Sequence, residues 1–367
     1  LTDTDKGEGK YTDEKGNTGG DVDRAQESGK GDLPVLIYPP GYTDVPTFVT
    51  NCLGDVNEHA MLGGFAAVTT VKILQGNGIK GLKSNAKFAL KKFYDKSETA
   101  FNNEVEAMRR LAAIRDPHIV ELKAAFTQNG SHYLLMDLAT GNLRDFWRFI
   151  PDPTAVGDGL IIWVIEQCAG LTKALVTIHS STGSKPVYRH GDIKPENILW
   201  YQKEKADAGD HKKHLGVLQI ADFGGVEVIA DTEPETGSDW IRYSPTYRPP
   251  ELDINTNVSC ASDIWSLGCI FLEFVTWYLS GWEAAEEVFP TLRLAEGGHD
   301  GFREDTFFLL QRSKEHKTAI LGPAVQKVSA SSVVSGPSYG LIARALSGST
   351  NFTLFQTVRA LYMTSSL

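Results

Sequence analysis

Near Gly141 the chain changes texture, and that change limits the fold more than any other feature. Before it come four short β-like runs: FAAVTTVKIL (Phe65 to Leu74), KFALKKF (Lys87 to Phe93), IVELKAAF (Ile119 to Phe126) and HYLLMDL (His132 to Leu138). Their β-branched and aromatic content suits a small antiparallel sheet. One stretch breaks the series. In SETAFNNEVEAMRRLAAI, Phe101, Val105, Met108 and Ala112 recur at three- and four-residue steps, with Arg109 and Arg110 opposite, so a helix should pack on the sheet. After Gly141 helices dominate, notably Leu160 to His179 and Ala261 to Leu279, separated by loops with unusual polar motifs. The expected fold is α+β and bilobal: a small β-rich first lobe with one main helix, then a larger, mainly helical lobe. No internal repeat is visible.

Composition narrows the function. With 367 residues and 41% hydrophobic content, the chain can bury one large or two smaller cores. A formal charge of -10 argues against a nucleic-acid partner, which needs clustered Lys and Arg. Cys52, Cys168, Cys260 and Cys269 show neither zinc-site nor disulfide-framework spacing, so a reducing, intracellular and cytoplasmic setting is expected. No apolar run looks long enough to span a bilayer, and no membrane partner is expected. Residues 1–33 are too polar to offset the entropy of ordering a backbone and read as a disordered acidic, glycine-rich leader. The further divisions are 34–138, the first lobe with an N-terminal extension; 139–324, the second lobe; and 325–367, an atypical tail. YQKEKADAGDHKKH, Tyr201 to His214, reads as a solvated hairpin insertion, with a basic docking patch as its alternative.

Four motifs carry the chemistry. YRHGDIKPENILW (Tyr188 to Trp200) is followed by IADFGGV with Asp222, by SPTYRPPEL (Ser244 to Leu252) and by SDIWSLGC (Ser262 to Cys269). In this order they resemble the eukaryotic protein kinase superfamily, and within it the divergent kinase-domain proteins with an HGDIKPEN loop that are numerous in filamentous fungi. The resemblance covers roughly Gly63 to Phe308. It implies transfer of the ATP γ-phosphate to a protein substrate, and the chemistry of that reaction accounts for the residue types. Phosphoryl transfer is mostly positioning and charge neutralisation. Asp192 would orient the substrate hydroxyl, and Lys194 would stabilise the transferring group. Asn197 and Asp222 would supply oxygens to Mg²⁺. Lys91 would meet the α- and β-phosphates, held by Glu104, with Glu106 as the rival on the same helix.

By the same resemblance Val68, Ala89 and Leu199 would wall the adenine, while Met136 and Asp137 to Ala139 would connect the lobes. Ser244 would bond Asp192 or Lys194, Asp263 would bond the catalytic-loop backbone, and Glu251 would be a buried acid. Lys194 is the serine/threonine form of the loop, so the substrate hydroxyl should be Ser or Thr.

The departures are specific. Of the family's three spaced glycines, mapping to Met61, Gly63 and Ala66, only Gly63 is kept, with Gly64 beside it. Gly191 stands where an arginine usually reads an activation-loop phosphate, so activity should not require phosphorylation of Thr236 or Ser238. Past Ala324 the chain lacks the family's terminal helices and the arginine that pairs with Glu251; Arg344 and Arg359 are the candidates, and the second lobe looks incomplete. The alternative function is a pseudokinase or scaffold with weak or no transfer. A small-molecule kinase fits less well, since that class usually lacks a PPE-like segment.

Overall fold

KFALKKF forms a strand, β4, because its apolar side chains find neighbours on both flanks. In the computed structural model it spans Lys87–Phe93 and sits between β3 (Ala66–Lys72) and β6 (Ser131–Asp137), antiparallel to each. β1 (Val35–Ile37), β2 (Met61–Leu62) and β5 (Leu122–Gln128) complete a six-stranded sheet of order β1-β5-β6-β4-β3-β2. The sheet is not wholly antiparallel, since β1 adds to β5 in parallel. The structure describes residues 35–37, 61–62, 66–72, 87–94, 98–112, 114–128, 130–180, 187–202, 215–229, 244–254, 259–296, 304–312 and 317–334. The expected leader, most of the 201–214 insertion, Gly63, Gly64, Thr236, Ser238, Arg344 and Arg359 lie outside these.

α1 (Glu98–Ala112) lays three of the four expected apolar residues, Phe101, Val105 and Met108, on the sheet; Leu111 is buried as the fourth, while Ala112 is only half-buried. Phe101 stacks on His132 at 4.6 Å and meets Phe93 edge-on at 5.7 Å. β5 starts three residues later than the apolar run suggests. Ile119 and Val120 are taken instead by a second-lobe strand: Val120 N donates to Ile220 O at 2.9 Å, and Ile220 N to His118 O at 2.8 Å. This exchange ties the lobes together.

The second lobe begins with β7 (Gly141–Asn142) and α2 (Leu143–Phe149), then α3 (Asp158–His179) and β8 (Val187–Arg189). β9 (Ile198–Tyr201) and β10 (Val217–Ile220) pair antiparallel around the insertion, and β11 (Glu227–Ile229) pairs with β8. After α4 (Glu251–Ile254) comes α5 (Ala261–Glu283), which turns sharply at Gly281, φ 83°. A Cβ there would lie 2.8 Å from Pro151 O, so only glycine lets the chain pass this close. α6 (Phe289–Glu296), a hairpin of β12 (Phe308–Arg312) and β13 (Lys317–Leu321), and α7 (Pro323–Val334) follow. Around α5 the aromatic core gathers Phe146, Trp147, Trp163, Phe274 and Trp277.

Two findings amend the sequence reading. Gly159–His179 and Ala261–Ala295 are helical stretches long and apolar enough to cross a membrane, contrary to the expectation that no such run exists. Their burial, 50% and 67% of the most apolar window, supplies the physical reason for the composition: they are core helices. The expected break after Ala324 falls inside α7, whose Ala324 and Val325 are buried in the core.

Candidate active site

Lys91 projects from β4 with its ammonium 2.7 Å from Glu104 Oε1 and 2.7 Å from Asp222 Oδ1. Glu104 faces the sheet because it shares the Phe101 and Met108 side of α1, and it is buried. Glu106 lies on the outer face and pairs with Arg110 at 2.7 Å. Burial opposes the lysine's charge, yet Glu104 and Asp222 together raise its pKa well above the ordinary value. Desolvation by the cleft walls opposes ionisation of Asp222, whose side chain is still 44% exposed, but the Lys91 ammonium and its hydrogen bond hold that carboxyl down to about 2. Asp222 adopts φ 66°, a left-handed conformation uncommon outside glycine, and accepts a 3.4 Å bond from Gly224 N. Next to it Phe223 is buried against the His190 ring at 5.2 Å.

Asp192 is fixed from three sides. Lys194 Nζ lies 2.6 Å from Oδ2, Asn197 Nδ2 donates to the same oxygen at 2.9 Å and to the backbone carbonyl at 2.8 Å, and Ser244 Oγ donates to Oδ1 at 3.2 Å. The loop that carries it is anchored from below. Asp263, buried on α5, accepts from His190 N at 2.7 Å and Gly191 N at 2.9 Å, and bonds His179 Nε2 at 2.8 Å. Although burial acts the other way, these donors keep the Asp263 carboxyl below the usual carboxylate range.

Gly191 has φ 78°, and a Cβ on it would approach Gly225 O to 2.9 Å. The sequence alone marks this glycine only as a lost arginine. The geometry adds that a left-handed backbone packed against Asp222's loop favours a residue with no side chain.

The donor chemistry of the cleft suits a hard divalent cation. Asn197 uses its amino end on Asp192, which leaves the carbonyl oxygen as its ligating end, and Asp222 is an ionised carboxylate whose side chain is 44% exposed. Among the described residues no group of three or more His, Cys, Asp or Glu forms a metal cage. Two protein oxygens completed by nucleotide phosphates are how Mg²⁺ is commonly held.

Of the expected adenine contacts, Val68, Ala89 and Leu199 are half-buried, and Ala89 lies opposite Met136 across β4 and β6. Met136 itself is buried among core residues. Asp137 is exposed, its carbonyl accepting from Tyr201 and its carboxylate 3.1 Å from Lys123, and Ala139 is half-buried. Glu251 is half-buried instead of buried, and its Oε2 has no hydrogen-bond partner among the described residues.

A second charged network escaped the sequence reading. Arg144 reaches Glu196 at 2.6 Å, Glu286 at 2.6 Å and the Tyr247 hydroxyl at 2.9 Å. Tyr247 donates onward to Glu273 at 2.7 Å, and Glu273 meets Arg293 at 3.0 Å. Arg293 also bonds Asp305 at 2.6 Å and lies over the rings of Phe289 and Phe307, 4.4 and 4.2 Å from their centroids. Only Glu196, inside KPEN, carried a local signal; the other partners are joined by the fold alone.

With this geometry in place, comparison supplies the family. Residues 63–288 match the protein kinase domain, and the chain belongs to that family. It is 31% identical over 189 residues to glycogen synthase kinase 3 of Trypanosoma brucei brucei, covering 47% of each chain. It is 29% identical over 190 residues to cyclin-dependent kinase-like 5 of Mus musculus, covering 50% of this chain and 18% of that one. To serine/threonine-protein kinase ULK3 of Rattus norvegicus it is 30% identical over 177 residues, covering 48% and 33%. The chain therefore spans less than half the length of these relatives.

Proposed function

We propose that this chain is a serine/threonine protein kinase that moves the γ-phosphoryl group of ATP onto a Ser or Thr hydroxyl of a protein substrate. One observation carries the reading: Lys91 binds Glu104 and Asp222 at once, while Asp192 is held by Lys194, Asn197 and Ser244. A scaffold has no physical need for the whole set in register.

In the proposed step the substrate oxygen bonds to the γ-phosphorus as the bond to the ADP oxygen breaks, and the hydroxyl proton leaves toward Asp192. Asp192 Oδ1 and Oδ2, each oriented by a hydrogen bond, aim the hydroxyl. Lys194 sits beside Asp192 to meet negative charge on the transferring group. Lys91, positioned by Glu104, neutralises the α- and β-phosphates. Asn197 and Asp222 would hold a magnesium ion, which would supply positive charge to the phosphates. The lobes proposed for this work are residues 34–138 and 139–324, the second continuing into α7 beyond its expected end, and Gly191 implies that no activation-loop phosphate is needed.

The test is transfer from radiolabelled ATP to a generic Ser/Thr protein, with Asp192→Asn alongside. A loss of about a hundredfold or more is expected in the variant. Equal rates in the two proteins, or ATP binding without transfer in the wild type, overturn the proposal.

A further inference from the structure

Glu196 sits between two residues that touch Asp192: Lys194 before it and Asn197 after it. A substrate segment presenting its hydroxyl to Asp192 would run near this carboxylate, whose side chain is 43% exposed. An exposed carboxylate there would attract a substrate lysine or arginine, because opposite charges at a groove select partners. In this chain the attraction is already satisfied internally. Arg144 spends Nε on Glu196 and Nη1 on Glu286, which is itself nearly buried, and donates Nη2 to Tyr247, three residues from the Ser244 that bonds Asp192. The guanidinium fills the place a basic substrate side chain would take, with the planar fork geometry that makes arginine suited to two carboxylates.

Arg144 is also held in advance. Its own N–H donates to Asn142 Oδ1 at 2.9 Å in the capping box that starts α2, so its backbone is fixed before any substrate arrives.

We infer that Arg144 is a specificity-determining residue that occupies Glu196 and so removes any preference for a basic residue in the peptide flanking the phosphorylated Ser or Thr. The inference rests on the proposed kinase activity.

The experiment uses the full chain and serine peptides in an alanine–glycine frame carrying Arg, Gln or Glu at each flanking position in turn. Wild type should phosphorylate the Arg and Gln peptides with kcat/KM values within about threefold at every position, while Arg144→Gln should gain about tenfold for Arg at one of them. Adding Glu196→Gln to that variant should remove the gain, and Arg144→Lys should not show it. A wild type that favours an Arg peptide tenfold overturns the inference without needing any variant, and so does an Arg144→Gln protein that folds and gains nothing. If no peptide is phosphorylated, the parent reading fails instead. The same peptides' Kd values by fluorescence anisotropy, with the same thresholds, then decide the inference.

Discussion

Lys91 and Arg293 are each a cation between two carboxylates, one in the cleft and the other in the body of the second lobe. Lys91 joins Glu104 to Asp222, and Arg293 joins Glu273 to Asp305. The surroundings separate them. Arg293 and Glu273 are each 1% exposed and two phenylalanine rings close over the guanidinium, leaving Asp305, 27% exposed, as the outer partner. Around Lys91 one partner, Asp222, stays open to the cleft in a left-handed backbone conformation. A closed triad specifies structure, whereas an open one can exchange a partner for a ligand.

The contrast breaks most easily at Arg293. Arg293→Met should cost about 3 to 5 kcal/mol of stability, since Glu273 is left buried with its countercharge removed. Urea unfolding measures it; a loss below about 1 kcal/mol would mean that Tyr247 alone satisfies Glu273. Lys91→Met should differ in its activity loss. Its kcat should drop about a hundred- to a thousandfold because the charge acts on a transition state, and buried Glu104, stripped of its countercharge, should lower the unfolding midpoint as well. A variant that unfolds readily yet keeps its kcat would erase the distinction between the two sites.

Asp263 offers the intermediate case, a buried carboxylate held by two backbone N–H groups and a histidine. Its pKa is lowered in the folded state, so its contribution is complete above the unfolded carboxylate value, near 4, and is lost as pH falls through the folded one. Asp263→Asn should lower stability at neutral pH by about 1.5 to 3 kcal/mol and flatten the acid limb of the stability curve. Unfolding measured in steps from pH 7 down to pH 2 checks this; parallel acid limbs for the two proteins would assign the dependence elsewhere.

Local signals carried far through the molecule. The strand bounds of β4, the apolar face of α1 and the choice between Glu104 and Glu106 all follow from side-chain periodicity, which the backbone geometry dictates. The two-lobed α+β organisation was legible for the same reason. Arg144 was not, because its partners are 52, 103 and 142 residues away, and nothing in GNLRDF specifies which distant carboxylates a fold will deliver. The start of β5 was hidden by a similar competition, with Ile119 and Val120 drawn to Ile220 across the lobes. Gly191 was visible as a missing guanidinium, but its close approach to Gly225 O exists only once two loops meet.

Asp263 takes its hold on the catalytic loop through main-chain N–H groups, and it stands on the most deeply buried helix of the second lobe. The amides of His190 and Gly191 are thereby coupled to the core instead of to their own loop. Their protons should exchange with deuterated solvent as slowly as those of α5, on the timescale of global opening. A segment with the irregular backbone of a loop would then keep the clock of a core helix, and Asp192, one residue further on, would inherit it.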